Sequence, residues 1–67
     1  MTNGEIITKY LKEKGDDPNY WLDLSSESGD NKFRADIGYL WTGPWSDSVD
    51  AALEGLVKEL KRVGEIK

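Results

Sequence analysis

Between Lys32 and Val63 the spacing of the apolar residues changes once, and the change falls at Gly43-Pro44. Before it the period is two. Phe33, Ala35, Ile37, Tyr39 and Trp41 alternate with Arg34, Asp36, Gly38, Leu40 and Thr42, as in a strand that lays one face on a core. After it the period is that of a helix: Val49, Ala52, Leu53, Leu56, Val57, Leu60 and Val63 form one continuous stripe. A chain of 67 residues that must bury both a strand face and a helix stripe has one economical solution, which is to lay the helix on the sheet.

The rest of the chain is consistent with that frame. Thr2-Asn3-Gly4-Glu5 has the spacing of a capping box, so a short helix should follow with Ile6, Ile7, Tyr10 and Leu11 on one side and Gly15 just past its end. Asp16-Asp17-Pro18-Asn19 is a turn, and Tyr20 to Ser25 is a strand candidate with Tyr20, Leu22 and Leu24 on one face and Trp21 and Asp23 on the other. Ser26 to Asn31 is polar and turn-rich and predicts a hairpin loop. The strand from Lys32 to about Thr42 is long, so a bend or bulge at Gly38 should divide it. Ser46 or Ser48 caps the last helix, Asp47 and Asp50 sit at its positive end, Lys58, Lys61 and Arg62 toward its negative end, and Gly64 stops it. The expected architecture is a single α+β domain over residues 1–67, α-β-β(-β)-α, an antiparallel sheet with both helices on the Phe33-Ile37-Trp41 face.

By this reading the three Trp have different places. Trp41 belongs to the core by strand parity; Trp45, four residues before Val49, is positioned to pack back on the first turn of the helix; Trp21, beside Asp23, is left on the outer face. An exposed Trp with acidic neighbours is a candidate contact for a partner.

The residue inventory excludes much chemistry. With no Cys and no His the chain has no thiolate, no imidazole base and none of the commonest transition-metal ligands, and Ser25, Ser26, Ser28, Ser46 and Ser48 have nothing of that kind to activate them. No phosphate loop, dinucleotide fingerprint, nucleophile elbow or calcium loop is present. Asp16-Asp17, Asp47 with Asp50, and the ESGDN loop could touch a hard cation, but a turn and a helix N-terminus account for those acids equally. The expectation is a non-enzyme without cofactor or metal. No apolar run is long enough to span a bilayer and no signal-like segment begins the chain, so the expected location is the cytoplasm.

Charge is unevenly distributed. Residues 16–54 hold nine acids against Lys32 and Arg34, a balance of −7, whereas residues 1–15 carry +1 and residues 55–67 carry +2. An acidic middle repels nucleic-acid phosphates and attracts basic protein surfaces, although the same charge also serves solubility.

The stretch Pro44-Trp45-Ser46-Asp47-Ser48-Val49-Asp50-Ala51-Ala52-Leu53 resembles the helix start of small phage proteins described as ABA-sandwich domains, which pack helices against an antiparallel sheet. The passage FRADIGYLWTGP followed by VDAALEGL is similar to antitoxins of the HicB type, but the strand that opens that family is replaced here by a helix. The resemblance implies a bacteriophage or mobile-element accessory protein, expected in the host cytoplasm if phage-encoded.

The leading expectation is therefore a small interaction module, an inhibitor that occupies the basic, nucleic-acid-binding surface of a host protein. Its expected partner-binding residues are Trp21, Asp23, Glu27, Asp30, Asp36 and Leu40. A self-associating scaffold, pairing through an exposed sheet edge, is the alternative. Nucleic-acid binding through Lys9, Lys12, Lys14, Lys58, Lys61 and Arg62 is the third, disfavoured by the acids among them.

Overall fold

The computed structural model describes residues 1–27, 29 and 31–67, in the order α1 (Asn3–Glu13), β1 (Leu22–Glu27), β2 (Lys32–Ile37), β3 (Trp41–Thr42) and α2 (Val49–Arg62). The α+β class is the expected one, with the optional third strand present. The sheet is antiparallel throughout, in the order β1-β2-β3.

Each helix starts where its cap directs. The Thr2 hydroxyl accepts the Glu5 N–H at 3.1 Å while Glu5 Oε1 accepts the Thr2 N–H at 3.1 Å, so the capping box is closed. Ser48 rather than Ser46 caps α2, accepting the Ala51 N–H at 3.1 Å. Gly15 and Gly64 follow the two helices with positive φ.

The core lies between the helices and one face of the sheet. α2 crosses β2 and β3, and α1 packs against α2. Ile7 and Tyr10 from α1, Ala35 and Ile37 from β2, and Ala52, Leu56, Val57 and Leu60 from α2 are buried together. Burial of each large apolar side chain in this set contributes about 1.5–3 kcal/mol, which a domain this small needs. Val49, which the helical stripe included, lies outside the core.

The long strand is divided at Gly38, whose φ of 49° reverses the chain. The Leu40 N–H donates to the Ile37 carbonyl at 2.9 Å, and the returning β3 pairs Trp41 with Ile37 and Thr42 with Asp36. A Cβ at residue 38 would stand 2.6 Å from the Asn19 carbonyl oxygen, so Gly is required on both counts. Two consequences follow for side chains. Tyr39, assigned to the core by parity, sits in the turn and is 96% exposed. Trp41 keeps its expected face because the turn places it opposite Ile37.

After Thr42 the chain continues beside β2 with one residue too many. Asp36 pairs with Thr42 and Phe33 bridges to Ser46, so Gly43, Pro44 and Trp45 lie opposite only Arg34 and Ala35. This is a bulge, placed where Pro44 has no N–H to give the ladder. Pro44 is thereby pushed toward α2, where a Cβ on residue 55 would come within 2.7 Å of its ring. Gly55 thus leaves room for the Pro44 ring against α2.

β1 begins later and ends later than the alternation implied. The turn at Asp17 to Tyr20, closed by the Asn19 N–H on Asp17 Oδ1 at 2.9 Å, keeps Tyr20 out of the ladder. Ser26 and Glu27, assigned to the hairpin loop for their polarity, instead continue the pairing opposite Phe33 and Lys32; an exposed edge strand tolerates polar residues. The rest of that loop includes Ser28 and Asp30, which lie outside the described residues. Among the described residues no helix is long and apolar enough to cross a membrane.

Candidate functional site

The face of the sheet turned away from the helices is the candidate site. Strand alternation sends Asp23, Ser25 and Glu27 of β1, Lys32, Arg34 and Asp36 of β2, and Thr42 of β3 to this side. Trp21 precedes Asp23 by two residues and shares its side. It is 39% exposed and meets Tyr39 edge to face, with ring centroids 5.8 Å apart and planes at 86°. The bulge turns Trp45 onto the same face, where the Arg34 guanidinium lies 4.9 Å from its ring centroid. Trp45 is 44% exposed and holds an arginine.

Asp36 is on this face, as its parity requires, but it is not a surface carboxylate. It is only 4% exposed, and its Oδ2 accepts both Arg34 Nε at 3.2 Å and Arg34 Nη2 at 3.0 Å. Asp23 is its direct cross-strand neighbour on one side and Thr42 on the other. Among the described residues its Oδ1, also buried, has no hydrogen-bond partner. A buried carboxylate oxygen left without a donor is rare in folded proteins and costly.

Of the expected contact residues, then, Trp21 and Asp23 share the open face and Glu27 lies at its far end, opposite Lys32. Asp36 is beneath that surface, Leu40 is exposed in the turn beside Tyr39, and Asp30 falls outside the described residues. Lys32 directs its ammonium not to Glu27 but to Asp47, whose carboxyl it holds below the usual range by hydrogen bond and charge. Arg34, Tyr39 and Trp45 were not among the expected contacts. The sequence signal that could have found Tyr39 is the glycine that ends the alternation before it; Trp45 is re-aimed by a bulge that only the pairing of the return strand defines.

A second polar cluster joins α1 to the chain that follows α2. Tyr10 donates its hydroxyl proton to Glu65 Oε1 at 2.7 Å, Lys14 lies 3.4 Å from the same oxygen, and the Lys14 ammonium stands 5.1 Å and 4.9 Å from the ring centroids of Tyr10 and Tyr20. Burial, and then the bond to Glu65, push the Tyr10 hydroxyl well above its ordinary pKa; the bond from Tyr10, helped by Lys14, lowers that of Glu65. The Trp41 indole N–H approaches the Tyr10 hydroxyl without closing a hydrogen bond. Beside this cluster a groove of about 540 Å³ has Ile6, Tyr10 and Ile66 in its walls and both Lys61 and Glu65 at its rim, so its charge is mixed.

Among the described residues no group of three or more His, Cys, Asp or Glu is arranged to hold a metal ion. No protein-family model matches the chain, and no curated protein or solved structure is significantly similar to it.

Proposed function

We propose that the chain is a protein-interaction module whose open sheet face docks on a basic, nucleic-acid-binding surface of another protein, the action expected of a phage-encoded inhibitor. One observation carries this reading. Among the described residues, the two cations on the open face, Lys32 and Arg34, are each engaged by an acid, while Asp23 and Glu27 make no ion pair. A partner therefore meets uncompensated carboxylates flanked by exposed Trp21, Tyr39 and Trp45, a combination of charge for steering and aromatic area for affinity. The helical cations offer less to a nucleic acid, because Lys14, Lys58 and Arg62 are already paired with Glu65, Glu54 and Glu59.

Titration with a hexa-arginine peptide tests the reading. Affinity should fall steeply between about 0.05 M and about 0.5 M salt, and should fall again in the Asp23→Asn/Glu27→Gln variant. Binding that ignores salt, or that the double variant leaves unchanged, removes it.

Self-association is a second reading, favoured by the β1 edge. Leu22 and Leu24 point to the helix-covered side of the sheet, yet neither helix packs on β1 and Leu24 remains 50% exposed. Pairing of two β1 edges would cover these leucines with their counterparts. Sedimentation velocity across a wide concentration range distinguishes the two: a dimer lost on Leu24→Lys supports the edge, and a monomer throughout excludes it.

A further inference from the structure

The ion pair at Asp36 is only half made. Arg34 approaches the carboxylate from two residues earlier on the same strand and spends both of its contacting nitrogens on one oxygen, Oδ2. The fork-to-fork arrangement that guanidinium and carboxylate favour is not formed, and Oδ1 is left buried without a donor among the described residues. Asp23 adds a second carboxylate directly across the strand pair. Two carboxylates and one guanidinium leave this spot one positive charge short of neutrality.

The surroundings suit the missing charge. Trp45 holds Arg34 on one side, and Trp21 lies over Gly38, two residues beyond Asp36, with its Nε1 3.1 Å from where a Cβ would be. Aromatic rings beside a carboxylate favour a cation on an alkyl stem, because the stem packs on the rings and the head reaches the oxygen. Arg34 holds Oδ2, so that oxygen becomes available when Arg34 moves, and a side chain whose own surface is 31% exposed has room to do so.

Resting on the interaction reading above, we propose that Asp36 is a socket for one arginine or lysine side chain of the basic partner, and that Arg34 is its resident occupant, displaced or shared when the partner docks. Specificity then comes from one buried carboxylate, and the exposed Asp23 and Glu27 supply attraction at longer range.

The same hexa-arginine peptide is the probe, titrated into the full chain with the carboxyl carbons and indole N–H groups observed by NMR. The Asp36 Cγ and the Trp21 and Trp45 indole signals should shift saturably with one common dissociation constant. Asp36→Asn keeps the shape and an acceptor for Arg34, and should weaken binding by about tenfold. Arg34→Gln should tighten it by severalfold more than Lys32→Gln, which removes the same charge from the same face. If the peptide binds in a salt-dependent way while the Asp36 signal stays still and Asp36→Asn binds like the native chain, the socket is overturned and the acidic interaction face stands. An equal gain for Arg34→Gln and Lys32→Gln overturns it as well, since charge alone would then explain both. No salt-dependent binding at all defeats the socket together with the interaction reading.

Discussion

Ile37 and Asp36 are neighbours on β2, exposed to 0% and 4%, and they reach that burial by opposite means. Ile37 points under α2 into a contiguous apolar cluster with Leu56 and Leu60, where every atom removed from water adds to stability. Asp36 points the other way and is buried on the face that no helix covers, with Oδ2 bonded to Arg34 and Oδ1 without a partner among the described residues. The first arrangement is what folding requires. The second works against folding, since a buried carboxylate oxygen without a donor loses its hydration uncompensated.

The sharpest way to break the comparison is to open the helix side. Leu56→Ala should lower the unfolding free energy by about 2–5 kcal/mol in urea denaturation, by the transfer loss and the cavity together. A loss below about 1 kcal/mol would mean that the helix face is not a close-packed core. On the open side, Arg34→Leu should cost about 1–3 kcal/mol, less than a fully buried ion pair because Arg34 is partly solvated. Adding Asp36→Leu should then restore most of the loss, whereas any comparable rescue of Leu56→Ala by a polar change is not expected.

A smaller effect separates the core from its polar end. Because burial raises the Tyr10 pKa in the folded protein, its contribution is fully present below the unfolded value near pH 10 and is lost as pH rises above it. Glu65 has the opposite sign: with its pKa lowered by Tyr10, it contributes above about pH 4.3 and the contribution fades as pH falls. Stability measured across both limbs should therefore be flatter for Tyr10→Phe than for the native chain. Equal slopes would separate Tyr10 from both. The smallest change should come from Tyr39→Ser, within about 0.5 kcal/mol of the native stability, because Tyr39 stands in the solvent. If Tyr39→Ser also leaves hexa-arginine affinity unchanged, the aromatic rim of the open face has no part in binding.

Most of the fold was legible because local signals agreed with the tertiary outcome. The capping box at Thr2, the change of period at Gly43-Pro44 and the stripe from Ala52 to Leu60 each specify one element, and α1, β2 and α2 lie where they indicate. The open face was legible in part. Trp21 and Asp23 were placed on it by parity alone, but Tyr39 was assigned to the core because alternation continues through Gly38 in the sequence, whereas the backbone does not. Trp45 precedes an N-cap, and nothing local distinguishes that position from one in a bulge. The depth of Asp36 could not be read at all, since burial on an uncovered face depends on which neighbours lean over it.

Short-range physics, readable in residue order, sets the helix limits through capping, the strand faces through the period of two, and the charge imbalance of the middle segment. Whatever depends on two distant segments meeting is settled only once the chain has folded. The bulge opposite Arg34 and Ala35 needs the return strand, the Gly55 contact needs Pro44 above it, and the unsatisfied oxygen of Asp36 needs Arg34 to choose one oxygen over the other. Such choices are set by close packing and hydrogen-bond geometry at distances of a few ångströms, and residue type at a single position does not encode them.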